Sequence, residues 1–388
     1  MTSQTVVILG AGFTGLPLAH KLLTYTAPYT KLKIILVSPS SKFYWNLAAT
    51  RGIIPGAVPD DKLFIPIKDN LTRYPPENWE FVLGKATSLN PDTNTVDVLL
   101  NSGVQQTIPY DQLVIATGSR MNGGGLPLKL IGTSEETILA LHALQERIAT
   151  AKSIVVAGAG PTGVETAGEL AAHFGSKKEI TLVNANEHVL AGSNVLPSLA
   201  HTVEQDLRKL GVKVLARTKV VKTDSTAKDG STSTILSLSN GSTLKADVYL
   251  PLFGVRVNTE FVPSQLLDEL GNVKLDRTMR VEGTENVWGI GDIGNLEPKQ
   301  VTNTDAQIIY LADALDRALG GKRMGSVKEY EPIKKTMVFL SLGPKYGTGQ
   351  IGAWKLWGWM VNYVKGRNIF VDTALDYVGG RKLRHASM

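Results

Sequence analysis

Val6-Val7-Ile8-Leu9-Gly10-Ala11-Gly12-Phe13-Thr14-Gly15-Leu16 returns later in the chain as Ile154-Val155-Val156-Ala157-Gly158-Ala159-Gly160-Pro161-Thr162-Gly163-Val164. Each copy is a short apolar run, a G-x-G-x-x-G turn, then apolar residues at helical spacing. Those residues are Leu16, Ala19, Leu22 and Leu23 after the first turn, and Val164, Ala167, Leu170 and Ala171 after the second. A second strand-like run follows each helix, at 32–37 and 179–183. These are two βαβ openings, so the chain is read as α/β with two Rossmann-like units.

Working outward, residues 111–118 (DQLVIATG) and 247–254 (DVYLPLFG) each supply an apolar strand ending in a turn, at corresponding places in the two units. A helix is predicted at 134–150, with Thr133 and Glu136 as its capping box. Residues 76–110 and 212–245 read as short strands, with a polar hairpin tip somewhere in 223–234. A short strand at 287–292 ends in Gly291-Asp292 and precedes a helix at about 303–319. Beyond residue 331 the character changes: a strand at 336–340, a Gly-rich loop, a Trp-rich stretch at 354–364 and a basic end. The expected organisation is one dinucleotide-binding domain from 1–120 with 256–330, a second from 121–255, and a small C-terminal α+β domain at 331–388.

Composition narrows the chemistry. The 388 residues are enough for two or three domains at about 150 residues each. There is no cysteine, which excludes a disulfide framework, Cys-ligated zinc or iron–sulfur, and any thiol redox centre. The net charge of +6 is mild, compatible with anionic cofactors and too diffuse to suggest nucleic acid. No apolar run approaches the ~18 residues of a membrane-spanning helix, and the N-terminus reads as a strand more than a signal peptide. A cytoplasmic protein, with peripheral membrane contact as an open reading, is the expectation. No metal site is expected.

In the first turn Gly10 permits the reversal, Gly12 leaves bare backbone along a pyrophosphate's path, and Gly15 lets helix and strand approach. Phe13 and Thr14 lie at the mouth of the helix, whose N-terminal N–H groups suit an anion. Gly158, Gly160, Pro161, Thr162 and Gly163 repeat the arrangement. Where an acidic residue usually meets the ribose, Ser38 stands in the first unit, able to bond singly and without charge. Asn184 holds that place in the second and selects neither NAD nor NADP. Glu165 either suits its helix N-terminus electrostatically or stands near a nicotinamide.

Two such loops, Ala116-Thr117-Gly118 between them and the late Gly291-Asp292 resemble the two-dinucleotide-binding flavoproteins of the glutathione-reductase-like fold. Within them the chain is most similar to the apoptosis-inducing-factor-like group, in particular its AMID or ferroptosis suppressor protein 1 branch of quinone reductases. That resemblance is carried by Phe43-Tyr44-Trp45-Asn46-Leu47-Ala48-Ala49, by Asn286–Asp292, by Pro298-Lys299 and most specifically by Phe339-Leu340-Ser341-Leu342-Gly343 with Gly349-Gln350-Ile351-Gly352. It departs from the branch at Thr2, at Ser38, and at Tyr44-Trp45 where paired histidines are usual.

The resemblance implies FAD on the first loop, contacted also by Asn46, Arg51, Ala116, Thr117, Gly118 and Asp292, with NADH or NADPH on the second. Lacking cysteine, such an enzyme passes electrons from flavin directly to an acceptor such as a quinone. Lys299 is placed to stabilise a reduced flavin, or is a solvated lysine. Tyr44, Trp45, Trp354 and Trp357 line a quinone pocket, or pack the core. Trp359 joins the C-terminal pair as an interfacial belt, with Lys355, Lys365, Arg367 and the tail residues Arg381, Lys382, Arg384 and His385 assisting adsorption to anionic lipid. Two other readings stay open: a flavin oxidoreductase for another organic acceptor such as a biosynthetic intermediate, and an NAD(P)H-sensing flavoprotein with slow turnover. A Baeyer–Villiger monooxygenase would add F-x-G-x-x-x-H, which none of the six histidines fits.

Overall fold

A computed structural model describes residues 3–122, 124–228, 231–321 and 326–381. Strand Gln4–Leu9 ends in four consecutive buried apolar residues, the pattern of a central parallel strand covered on both faces. It pairs in parallel with Leu32–Ser38 and with Gln112–Ile115. Val287–Gly289 adds to one side and Trp79–Asn90 to the other, and Trp79–Asn90 runs on into an antiparallel meander with Thr95–Leu100 and Gln105–Pro109. The result is one seven-stranded sheet.

The second glycine turn builds a second sheet in the same way. Ser153–Ala157 lies between Glu179–Val183 and Val248–Pro251, with Lys213–Leu215 at the edge, all four parallel. An antiparallel sheet of Val220–Lys228, Ser231–Leu238 and Thr243–Ala246 accompanies it. The tip expected in 223–234 falls at 229–230, outside the described residues. Ser119–Met121 and Val255–Val257 pair antiparallel where the chain passes from one sheet region to the other and back. This is a mixed α/β fold, as the repeated turn requires.

Local signals hold closely. Helix Ser134–Thr150 starts with the capping box: the Glu136 N–H donates to the Thr133 hydroxyl at 3.1 Å and the Thr133 N–H to the Glu136 carboxylate at 2.8 Å. Leu16, Ala19, Leu22 and Leu23 are buried against the first sheet, although the helix Gly15–Lys21 continues as a π turn, Leu22–Thr26. At the C-terminus Met337–Ser341, Gly347–Ile351 and Trp354–Leu356 form an antiparallel sheet, followed by the short helix Gly358–Val361, a π turn Asn362–Gly366 and helix Val371–Val378.

His20 fastens this last helix to the first. Its ring nitrogens meet the Val378 carbonyl at 2.8 Å and the Tyr74 hydroxyl at 2.9 Å, and the side chain is fully buried. Burial pushes the imidazole down to about 4, helped by Arg73 and opposed by the Val378 bond. The unfolded chain therefore binds a proton near pH 6.5 that the folded chain refuses until about pH 4. Stability should fall as pH drops through that window, by about 3 kcal/mol from this group alone. Urea unfolding at pH 7 and pH 4.5 checks it; a His20→Gln variant should lose most of the difference, and an unchanged pH slope would remove His20 from the account.

Candidate cofactor and acceptor site

The two glycine turns are geometrically equivalent. Gly10 has φ +108° and a Cβ there would lie 2.3 Å from the Ala116 carbonyl oxygen; Gly158 has φ +111° and would meet the Leu252 carbonyl at 2.4 Å. Gly15 and Gly163 sit so close to Gly10 and Gly158 that a Cβ would come within 1.9 and 1.8 Å of their carbonyls. Gly12 and Gly160 differ: a Cβ on either meets nothing within 4 Å. The middle glycine of each turn thus borders open space beside a helix N-terminus, which is the cradle a dinucleotide pyrophosphate requires. Both turns fit their groups.

Around the first cradle, Thr14 lies against Gly291, whose added Cβ would come within 3.0 Å of it. The Thr117 hydroxyl donates to the Asn258 carbonyl at 2.7 Å, and the Asn258 amide returns to the Thr117 carbonyl at 2.9 Å, fixing the Ala116-Thr117-Gly118 turn. The Ser38 hydroxyl accepts the Ser40 N–H at 3.2 Å, and Asn46 opens a short 3₁₀ turn, Asn46–Ala48. Asp292 is gripped by the Ser119 hydroxyl at 2.6 Å and by Lys129 at 2.9 Å. Burial alone would raise its carboxyl, but Lys129, Ser119 and the more distant Lys299 outweigh that and hold it below the usual range. Lys299 donates to the Asn272 side chain at 2.7 Å, and partial burial lowers its ammonium against the opposing pull of Asp292 and Asp268. The cation directly on Asp292 is Lys129, a loop lysine that no spacing rule singles out.

Arg51 does not present a free guanidinium to a cofactor. It forms a two-pronged pair with Glu169 at 2.8 and 2.9 Å and donates to the Gly366 and Arg367 carbonyls at 2.7 and 3.0 Å. Ser341 completes the cluster through its hydroxyl, 2.7 Å from Glu169. One turn earlier on the same helix, Glu165 accepts Lys365 at 2.6 Å and the Ser341 N–H at 2.8 Å. Lys365 was expected to reach anionic lipid; it is turned inward instead, 12% exposed, because Glu165 is 10% exposed and needs a cation. The π turn Asn362–Gly366 carries Lys365, and such turns re-aim a side chain locally. Lys355, by contrast, stays exposed, with its ammonium 3.4 Å from the Ser198 carbonyl.

The aromatic residues divide. Tyr44 is 6% exposed, stacks on Phe64 at 4.6 Å and donates its hydroxyl to the Pro127 carbonyl at 2.5 Å. Trp45 packs with Phe13 and Tyr377 and donates to the Ile369 carbonyl at 3.3 Å. Both are core residues, not pocket walls. Tyr377 in turn donates to the Phe13 carbonyl at 2.8 Å, so the C-terminal helix touches the first glycine turn directly. Trp354 and Trp357 face outward at 80% and 70% exposure, which corrects their placement in a pocket. Trp359 and Tyr363 are exposed as well, and Trp357 stacks on Trp359 at 6.3 Å. Of the basic end, Lys382, Arg384 and His385 lie outside the described residues. No described helix is long and apolar enough to cross a membrane.

A family model for pyridine nucleotide-disulphide oxidoreductases matches residues 4–307, spanning both glycine turns and Gly291-Asp292. The chain belongs to that family. Oxidoreductase ptaL of Pestalotiopsis fici is 41% identical over 97% of this chain and 99% of that relative. Ferroptosis suppressor protein 1 of Xenopus laevis is 30% identical over 97% and 96%. Among solved structures, the sulfide:quinone oxidoreductase of Aquifex aeolicus superposes with a TM-score of 0.77 at 20% identity, over 99% of this chain and 93% of that one. The resemblance to the apoptosis-inducing-factor-like and ferroptosis suppressor proteins therefore holds. As a member of the pyridine nucleotide-disulphide oxidoreductase family the chain is a FAD-binding oxidoreductase with NAD(P)H as electron donor. The disulphide of the family's name has no counterpart in a chain without cysteine.

Proposed function

We propose that the chain is an NAD(P)H:quinone oxidoreductase, converting NAD(P)H, a proton and a quinone into NAD(P)⁺ and a quinol. In this reading residues 1–120 and 256–330 hold FAD, residues 121–255 hold the nicotinamide dinucleotide, and residues 331–388 cap the acceptor side. FAD, when bound, accepts a hydride from the nicotinamide and passes two electrons on. The chain's own work is placement. Gly12 and Gly160 admit the two pyrophosphates, and Asp292, held by Ser119 and Lys129, meets a hydroxyl on the flavin side. Lys299 adds positive potential there. Glu165 fixes the Lys365 ammonium, and with it the cap, against the helix that begins at the second cradle.

The observation that carries the quinone assignment is the exposure of four large aromatic residues in the cap, Trp354, Trp357, Trp359 and Tyr363, on a protein with no sulfur relay. Indole and phenol rings settle at the boundary between lipid and water, where membrane quinones are met. The test is anaerobic reduction of the purified yellow protein with NADH, then mixing with a short-chain ubiquinone. Rapid return of the oxidised flavin spectrum is expected; a flavin that stays reduced removes the assignment. Replacing Trp354, Trp357 and Trp359 by Ser should spare turnover with the soluble quinone and lower it with a long-chain quinone in phospholipid vesicles. Equal loss with both quinones would detach these tryptophans from membrane contact.

A further inference from the structure

Gly291 bends at φ +81°, opens the 3₁₀ turn Gly291–Ile293 and lies against Thr14 of the first cradle. Its N–H donates to the side-chain oxygen of Gln307 at 2.8 Å. Gln307 sits on the helix Val301–Ala318 and is buried. Its amide nitrogen donates in turn to the Glu297 carboxylate at 2.6 Å. The same carboxylate accepts the Tyr330 hydroxyl at 2.9 Å and the Ile333 N–H at 2.6 Å. Tyr330 is itself buried, and its N–H donates to the Arg277 carbonyl at 2.6 Å. Burial first, then the bond to Glu297 and its charge, push the Tyr330 phenol well up, so the hydroxyl stays a donor.

These bonds have a direction. A primary amide can present either end to a neighbour. A carboxylate only accepts, so Glu297 draws the NH₂ end of Gln307 to itself and turns the oxygen to Gly291. Reversed, the amide would set NH₂ against the Gly291 N–H and oxygen against the carboxylate, and both bonds would be lost. A simple anchor for the segment at 330–333 needs only the bonds from Tyr330 and Ile333. It explains neither the third bond nor the glycine N–H at the far end of the Gln307 amide.

We propose that Glu297 is a positioning residue for the flavin side of the site. Through the Gln307 amide it fixes the Gly291-Asp292 turn, and through Tyr330 and Ile333 it ties that turn to the segment leading into the cap. This rests on the reading above that the first turn carries FAD and that Asp292 meets it. Asp292 is then held from two directions: its side chain by Ser119 and Lys129, its backbone by Gln307 through Gly291. Where these bonds are cut, flavin must order the turn itself on binding, and affinity falls.

The test exchanges the two polar groups. FAD-loaded full-length protein is diluted, and released flavin is read by its fluorescence to give the dissociation constant. Glu297→Gln puts an NH₂ where either Gln307 or Ile333 needs an acceptor, and Gln307→Glu sets two carboxylates together. Each should hold FAD about tenfold more weakly, the scale of one buried N–H left without its acceptor. The double variant Glu297→Gln/Gln307→Glu gives Gly291 and Ile333 acceptors again and should return to within about threefold of wild type. Gln307→Met leaves Glu297 its bonds from Tyr330 and Ile333. It should weaken FAD like the single variants while the Ile333 amide keeps its hydrogen-exchange protection, a separation that an anchor for the 330–333 segment would not give. A double variant no better than the worse single one would overturn the assignment. So would wild-type FAD affinity in Gln307→Met with Asp292→Asn weakened. If Asp292→Asn also holds FAD as wild type does, the placement of Asp292 beside the flavin falls, and the role of Glu297 with it.

Discussion

Gly12→Val should purify colourless, whereas Gly160→Val should purify yellow and bleach only slowly with NADH. The expectation follows from the contrast among the glycines. Valine at Gly10 or Gly15 would drive into backbone within 2.3 or 1.9 Å and damage the fold itself. At Gly12 and Gly160 no atom stands within 4 Å of the added Cβ, and Gly160, at φ −73°, has a backbone open to any residue. Both variants should therefore fold, and the new side chain should obstruct only what passes beside the turn. A displaced pyrophosphate loses several charge-assisted hydrogen bonds, each about 1.5–3 kcal/mol, so binding at the affected cradle should fall about 100-fold or more. Flavin absorbance per chain reads the first variant, and stopped-flow bleaching by NADH reads the second. Loss of flavin from both would contradict the allotment of FAD to the first turn and nicotinamide to the second.

How far the sequence alone reaches is set by how local each signal is. The glycine turns, the apolar strands before them and the Thr133–Glu136 cap are written within a few residues of one another, and each appears where the spacing puts it. The aromatic pair Tyr44-Trp45 was ambiguous because a large ring serves a pocket or a core equally well; Phe64 and Phe13, distant in sequence, decide for the core. Lys365 is ambiguous for the same reason. Its partner Glu165 is 200 residues away, so a lysine near tryptophans resembled a membrane-surface charge. One signal was available. Glu165 and Glu169 stand four apart, on one face of a helix in which every residue from Gly163 to Ala171 is buried, Val164, Ala167 and Leu170 lying on its other sides. Two carboxylates in an otherwise apolar helix demand cations, and Arg51, set in the apolar stretch before Ile53 and Ile54, is the matching oddity.

That buried pair gives the second large effect. Arg51→Met should loosen the C-terminal cap by about 3–5 kcal/mol, because Glu169, 2% exposed, is left charged with its main partner gone. Gly366 and Arg367 lose the donors to their carbonyls at the same stroke, and these close the π turn that aims Lys365 at Glu165. Hydrogen exchange of the amides in strands Met337–Ser341 and Gly347–Ile351 should accelerate strongly, while the parallel strands around the first glycine turn should keep their protection. The double variant Arg51→Met/Glu169→Met should recover most of the loss, since apolar side chains of similar length remove the stranded charge along with its partner. Arg51→Lys should not, because one ammonium cannot span a carboxylate and two carbonyls as the guanidinium does. A cofactor-contacting arginine would behave differently: flavin would leave, the cap would stay closed, and the second substitution would rescue nothing.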